Sequence, residues 1–263
     1  MSSGVSHGRR WGRAPAVAYG VASYLAFLAA FLYAVGFVGN LLVPKSIDSG
    51  PTGSLPASVL VDTLLLLLFA VPHSVMARPA FKRWWTRFVP PPVERSTYVL
   101  VSSMTLALLF WQWRPIPGLV WNVTIPVGRL LLLVVFWLGW AVVLVSTFLI
   151  DHFDLFGLRQ VFLYASGREY TPPAFKTGGL YRYVRHPLMT GFLLAFWATP
   201  TMTVGHLLFA VATTAYILIA LRLEERDLVG FHGEKYRAYR EQVSMLLPLT
   251  RFPKSSPKSP SSE

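Results

Sequence analysis

The sequence predicts an all-α, polytopic transmembrane helical bundle, and three observations carry that prediction. Hydrophobic residues make up 54% of the 263-residue chain. They are gathered in long blocks, as expected of helices that cross a hydrocarbon core about 30 Å thick. Short segments rich in lysine and arginine separate the blocks, and this is where a membrane protein keeps its charge.

Taken in order, residues 1–15 form a polar, basic N-terminal segment. The apolar run 16–42 is 27 residues long. A cleavable signal peptide carries only about 7–15 apolar residues, so this run reads as a retained first membrane helix. A Gly/Pro/Ser turn at 45–56 leads to a second helix, 57–77, with Pro72 and His73 near its far end. The basic, aromatic loop 78–95 holds Pro90, Pro91 and Pro92. A third helix, 97–113, closes on Trp111 and Trp113 as an interfacial aromatic pair. The fourth, 127–150, completes a membrane region spanning 16–150 and runs into a polar loop and motif at 151–187. Two apolar arms, 188–199 and 204–221, flank Pro200 and predict a helical hairpin whose first arm, about 12 residues, is too short to cross unaided. With the hairpin as the last, the chain has about five transmembrane elements by the same length criterion. The polar stretch 234–243 places Tyr236, Tyr239 and Val243 at helical spacing, so one face can lie on the membrane surface or close over a ligand. It completes a region 188–249, and the Ser/Pro/Lys-rich tail 250–263 predicts disorder.

The formal charge of +12 does not predict a nucleic-acid partner, because the cations sit between apolar blocks; anionic membrane lipids explain them. Of the lysines and arginines, 21 fall in the N-terminus, 78–96, 157–187 and the region from Arg222 onward, against Lys45, Arg114 and Arg129 on the other side. The positive-inside rule then puts both termini and the motif-bearing segments in the cytoplasm. The chain has no cysteine, which excludes disulfides, thiolate metal sites and a catalytic thiol. No HxH or HExxH spacing points to a metal, and no G-x-G-x-x-G unit points to a Rossmann cofactor domain.

On that sidedness, ionisable residues from four elements converge at the inner face: His73; Asp151, His152 and Asp154; Arg182, Arg185 and His186; Glu224 and Glu225. Such groups at membrane depth are costly and tend to face a cavity or a partner. His152, oriented by Asp154 or Asp151, is the first candidate for a base, because a neighbouring carboxylate fixes an imidazole's tautomer and raises its basicity. His73 is the second; its alternative is a hydrogen-bonding role at the Pro72 kink. Glu224 and Glu225 point in different directions on a helix, one toward the site and one toward Arg222, Arg226 or solvent.

Arg185-His186-Pro187 with Gly191, an apolar hairpin, then Glu224-Glu225, Gly233, Tyr236 and Tyr239 span 178–243. This order resembles the C-terminal signature of isoprenylcysteine carboxyl and phospholipid methyltransferase-like integral membrane proteins. The stretches HFDLFGLRQV, LYRYVRHPLM and FWATPTMTVGHLLFA extend the likeness to the methanethiol S-methyltransferase family and related NnrU-type proteins. The resemblance implies a cytoplasmic S-adenosyl-L-methionine site on the C-terminal helices of a bacterial inner-membrane enzyme. Arg185, His186, Pro187 and Gly191 would lie in the turn that holds the cofactor. Glu224 and Glu225 would meet its ribose or amino group, and Tyr236 would lie on a covering helix. Met189 stands where the broader family often has tyrosine, with Tyr181 and Tyr183 nearby. The implied acceptor is methanethiol or a similar small thiol, with dimethyl sulfide as product. The alternatives are a membrane methyltransferase acting on a lipid amine or prenylated cysteine, and a non-enzymatic NnrU-like factor.

Overall fold

The structure is a computed structural model and describes residues 12–248. The tail 250–263 and most of the segment 1–15 lie outside the described residues. The architecture is the expected helical membrane bundle. Its long helices are α1 (Arg13–Gly39), α2 (Leu55–Met76), α4 (Pro91–Gln112), α5 (Pro126–Ile150) and α9 (Val204–His232). Shorter helices are α3 (Pro79–Trp85), α6 (His152–Leu155), α7 (Leu158–Ala165), α8 (Pro187–Trp197) and α10 (Glu234–Gln242). Five of these, α2, α3, α4, α5 and α8, open with proline in the first two positions. There its missing N–H costs no helical bond and its fixed φ favours the first turn.

Among the described residues, α1, α2, α5 and α9 are long and apolar enough to cross a membrane. Leu25, Leu32, Leu64, Leu67, Leu130 and Leu131 project outward from three of them, exposed as a lipid-facing surface requires. The fifth long helix, α4, begins in a charged turn with Glu94 and Arg95 and lies against α1 and α2. Its start at Pro91 is six residues earlier than sequence patterning suggests, because the proline run opens the helix and does not merely end the preceding loop. That loop also folds partly into α3.

Between α1, α4, α5, α8 and α9 the core is aromatic. Phe37, Phe110, Trp113, Trp140, Phe196 and Phe209 are all buried there, and Phe196 meets Phe209 edge-on at 5.0 Å. Helices α5 and α8 approach closely because each has glycine at the crossing. A Cβ on Gly191 would lie 2.6 Å from the Gly139 carbonyl oxygen, and one on Gly139 would lie 2.6 Å from the Ala195 nitrogen. Only paired glycines leave room for that contact.

At one end the bundle is tied by a two-stranded antiparallel sheet of β1 (Leu119–Asn122) and β2 (Thr201–Thr203), which sequence patterning does not show. Thr203 then caps α9 by accepting from the His206 N–H at 3.1 Å. Helix α8 has 11 residues, about 17 Å of rise, so it does not cross alone. Helix α9 has 29 residues, about 44 Å, against a core of about 30 Å. Its final turns, which carry Glu224, Glu225 and Asp227, therefore project beyond the apolar layer on the same rigid rod as the hairpin's second arm.

Candidate active site

The projecting end of α9 is held by a clasp of chain from residues 179–186 and 239–246. The 3₁₀ turn Gly179–Arg182 leads into a parallel bridge between Val184 and Ser244. Within it the Arg185 N–H donates to the Ser244 carbonyl at 2.9 Å and the His186 N–H to that of Met245 at 3.1 Å. Pro187 then starts α8 and turns the chain back into the membrane layer.

Arg185 is the knot of this clasp. Its Nε donates to Glu225 Oε1 at 2.7 Å, and Nη2 lies 2.6 Å from the same oxygen. Nη1 donates to the Arg240 carbonyl at 3.1 Å and to that of Val243. The guanidinium thereby satisfies the free carbonyls at the C-terminus of α10, where positive charge is favoured. His186 Nε2 and the Tyr236 hydroxyl also approach Glu225 Oε1, at 3.3 and 3.4 Å. With its donors directed to protein oxygens, Arg185 is an organiser of the site.

Glu224 behaves differently. Its side chain is 45% exposed against 12% for Glu225, and its one ion-pair contact among the described residues is to the His186 imidazole, at 4.0 Å from Nδ1. The two glutamates thus divide, Glu225 held by Arg185 and not by Arg222 or Arg226, and Glu224 left open. Tyr181 and Tyr236 border Glu224, and burial, reinforced by glutamate charge, pushes both phenols up. Burial pushes Tyr239 up to about 12, with Arg185 opposing. These tyrosines remain neutral donors at physiological pH; the Tyr239 hydroxyl donates to the Tyr181 carbonyl at 2.6 Å. Tyr183 is exposed. Gly191 lies against α5, where the helix crossing accounts for its identity.

The second half of the candidate site is a polar cluster on α2, α4 and α9. His73 Nε2 is hydrogen-bonded to the Tyr98 hydroxyl at 2.9 Å and Nδ1 to Ser102 Oγ at 3.0 Å. Its ring stacks on Phe69 at 5.0 Å. One residue on, Ser74 donates to the Tyr216 hydroxyl at 3.4 Å, and Arg78 pairs with Asp227 at 2.8 Å. The ends of α2, α4 and α9 that carry these residues are therefore joined.

The expected partnership of His152 with Asp154 or Asp151 does not form. Asp151 leaves α5 with φ 171° and its side chain caps α6, accepting from the Asp154 N–H at 3.1 Å. Asp154 turns outward to Arg159 at 2.8 Å and Tyr170 at 3.2 Å. His152 turns inward, stacked on Phe148 at 4.4 Å. Its Nε2 meets the Tyr24 hydroxyl at 2.9 Å and its Nδ1 meets Thr147 Oγ1 at 2.8 Å. Burial holds its pKa below the ordinary histidine value, with Asp151 opposing. Phe156 separates it from the cluster around Met76 and Tyr98.

Sequence reasoning passed over Tyr98, Ser102 and Tyr216, as well as Tyr24 and Thr147. The available signal is the spacing of Tyr98 and Ser102, four apart on one helix face, but hydroxyl residues are common enough in membrane helices that it does not single them out.

The family model described as "NnrU protein" matches residues 61–244, which include both halves of this site. The chain belongs to the NnrU family. Among relatives of this NnrU protein, the methanethiol S-methyltransferase of Mycobacterium tuberculosis is 59% identical, over 88% of this chain and 95% of its own. The methanethiol S-methyltransferase of Crocosphaera subtropica is also 59% identical, over 88% and 91%. A more distant NnrU relative, Nurim of Rattus norvegicus, is 31% identical over 76% of each chain. No solved structure matches. The family resemblance read from the motifs is thus the one the relatives carry.

Proposed function

We propose that this protein is an S-adenosyl-L-methionine-dependent methyltransferase that converts methanethiol, or a similarly small thiol, to its methyl thioether, dimethyl sulfide in the case of methanethiol. The observation that carries the reading is the open Glu224 carboxylate beside the buried Arg185–Glu225 pair, on the helix whose Tyr216 and Asp227 are tied to the end of α2 that carries His73. The names of the relatives at 59% identity support it.

The residues present suit the cofactor's charges. Glu224 offers an acceptor to cationic and hydroxyl groups, the aromatic face of the half-buried Tyr181 suits a cation, and the exposed Arg182 suits a carboxylate; Tyr236, fully buried, backs the clasp through Glu225. The bound cofactor supplies an electrophilic methyl group on a sulfonium. The chain's own part is alignment and proton removal, because a thiolate is the stronger nucleophile. His73 Nε2, joined to the Tyr98 hydroxyl, accepts the thiol proton. Tyr98 Oη and Ser102 Oγ hold the imidazole in place, and Arg185 holds Glu225 so that Glu224 faces the ligand. His152 supports this cluster from behind Phe156. Charge asymmetry, 21 cations to 3, favours a cytoplasmic site and, for a bacterial chain, the inner membrane.

The test is incubation of the purified full-length protein with methyl-labelled S-adenosyl-L-methionine and methanethiol, followed by headspace analysis. Labelled dimethyl sulfide is expected. Folded protein that yields none overturns the reading; label in extracted lipids instead redirects it to a lipid acceptor.

A further inference from the structure

A polar cleft, with a volume of about 440 Å³, opens at the same end of the bundle as the Arg78–Asp227 pair. It lies between α3, the N-terminus of α4 and the α6–α7 region, away from the Arg185 clasp. Lys82, Arg95 and Arg168 supply one cation from each wall, and Glu94 and Asp154 also line it. The Asp154 charge is already matched by Arg159. None of the three lining cations forms an ion pair among the described residues, so Glu94 is the single lining carboxylate left to set against them. Gln160, on the same wall, keeps a buried amide oxygen without a donor. A concave site with surplus positive charge and an unmet acceptor favours an anion that also carries a hydroxyl or other donor.

The surroundings point to the membrane surface. Trp84 and Phe88, flanking the cleft on and just after α3, are exposed, as interfacial aromatic residues are. Burial and the nearby Arg95 hold the Lys82 ammonium below the ordinary lysine value, a cost that an arriving anion would relieve.

We propose that this cleft binds a phosphate group, with Lys82, Arg95 and Arg168 receiving its oxygens. Two sources carry that chemistry, an anionic lipid headgroup and free inorganic phosphate. The assignment does not depend on the methyltransferase reading, since it concerns other residues and is tested by binding.

Native mass spectrometry of the full-length protein, titrated with phosphatidylglycerol, phosphatidylcholine or inorganic phosphate, tests it. The expected result is retention of phosphatidylglycerol or phosphate by the wild type, weakened by roughly tenfold or more in Lys82→Glu/Arg168→Glu. A control, Arg83→Glu/Arg87→Glu, reverses two exposed cations of the same basic stretch that do not line the cleft, and it should bind as the wild type does. Preference for phosphatidylglycerol without displacement by phosphate identifies a headgroup site; displacement identifies the free anion. Equal binding by the wild type and the cleft variant, or equal loss in the control, overturns the proposal. If the glutamate pair fails to fold, Lys82→Gln/Arg168→Gln takes its place with the same reading.

Discussion

Arg185 and Glu225, forty positions apart, meet as an ion pair in which Nε and Nη2 both converge on Glu225 Oε1, with side chains only 5% and 12% exposed and a closest approach of 2.6 Å. Removing one partner leaves the other charge buried and uncompensated, which costs about 3–5 kcal/mol. Glu225→Gln and Arg185→Met should therefore lower the melting temperature in detergent markedly. Arg185→Lys should rescue little, because an ammonium cannot reproduce the planar fork that also serves the Arg240 and Val243 carbonyls. Melting curves that match wild type for all three would contradict the clasp.

Glu224→Gln should behave in the opposite way. The side chain is 45% exposed with no close charged partner, so stability should change by no more than about 0.5 kcal/mol. Cofactor affinity, measured by isothermal titration with S-adenosyl-L-methionine, should fall by roughly tenfold or more, as for loss of a charge-assisted contact.

His73→Ala should reduce kcat by roughly 10²–10⁴-fold, the usual contribution of a positioned base, with cofactor affinity retained. Tyr98→Phe should give a smaller loss, since Ser102 still holds Nδ1 at 3.0 Å. If His152→Ala shows the larger kcat loss at equal stability, the base is His152 and the assignment to His73 falls.

Acidification should destabilise the protein through His152. Its pKa in the folded state is depressed by burial, while the unfolded value is about 6.5. Between the two, the unfolded chain binds more protons, so stability rises with pH there. The contribution is complete above about pH 6.5 and is lost as pH falls toward the folded value. Chemical unfolding at several pH values should show this slope, and His152→Phe should flatten it.

Gly191→Val should destabilise the α5–α8 crossing. The added Cβ would lie 2.6 Å from the Gly139 oxygen and 2.8 Å from the Val143 nitrogen, contacts with backbone that cannot rotate away. Overpacking of this kind costs about 1–3 kcal/mol. A melting temperature equal to wild type would show that the helices separate freely.

Much of the site was legible because its parts are local in sequence. Arg185, His186, Pro187 and the Glu224-Glu225 pair carry recognisable chemistry at short spacing, and both runs were assigned to one face of the membrane. The pairing of His152 with its neighbouring aspartates was not borne out for an equally local reason. Asp151 is taken up in capping α6 and Asp154 in pairing with Arg159, so the carboxylates one position before His152 and two after it are both directed elsewhere. Tyr98, Ser102 and Tyr216 escaped notice because a hydroxyl on a membrane helix acquires meaning only from what stands opposite.

By itself, the sequence determined the helical class, the alternation of apolar and basic segments and the family, since all three rest on composition, periodicity and ordered motifs. Tertiary structure alone decided which glutamate is bound and which is open, that Arg185 closes a clasp at the end of α10, and that His73, rather than His152, adjoins Tyr98. Those outcomes depend on the rotation of each helix about its axis and on contacts across as many as 149 positions, as between Arg78 and Asp227. Local spacing cannot encode such contacts, because packing of the whole bundle sets them.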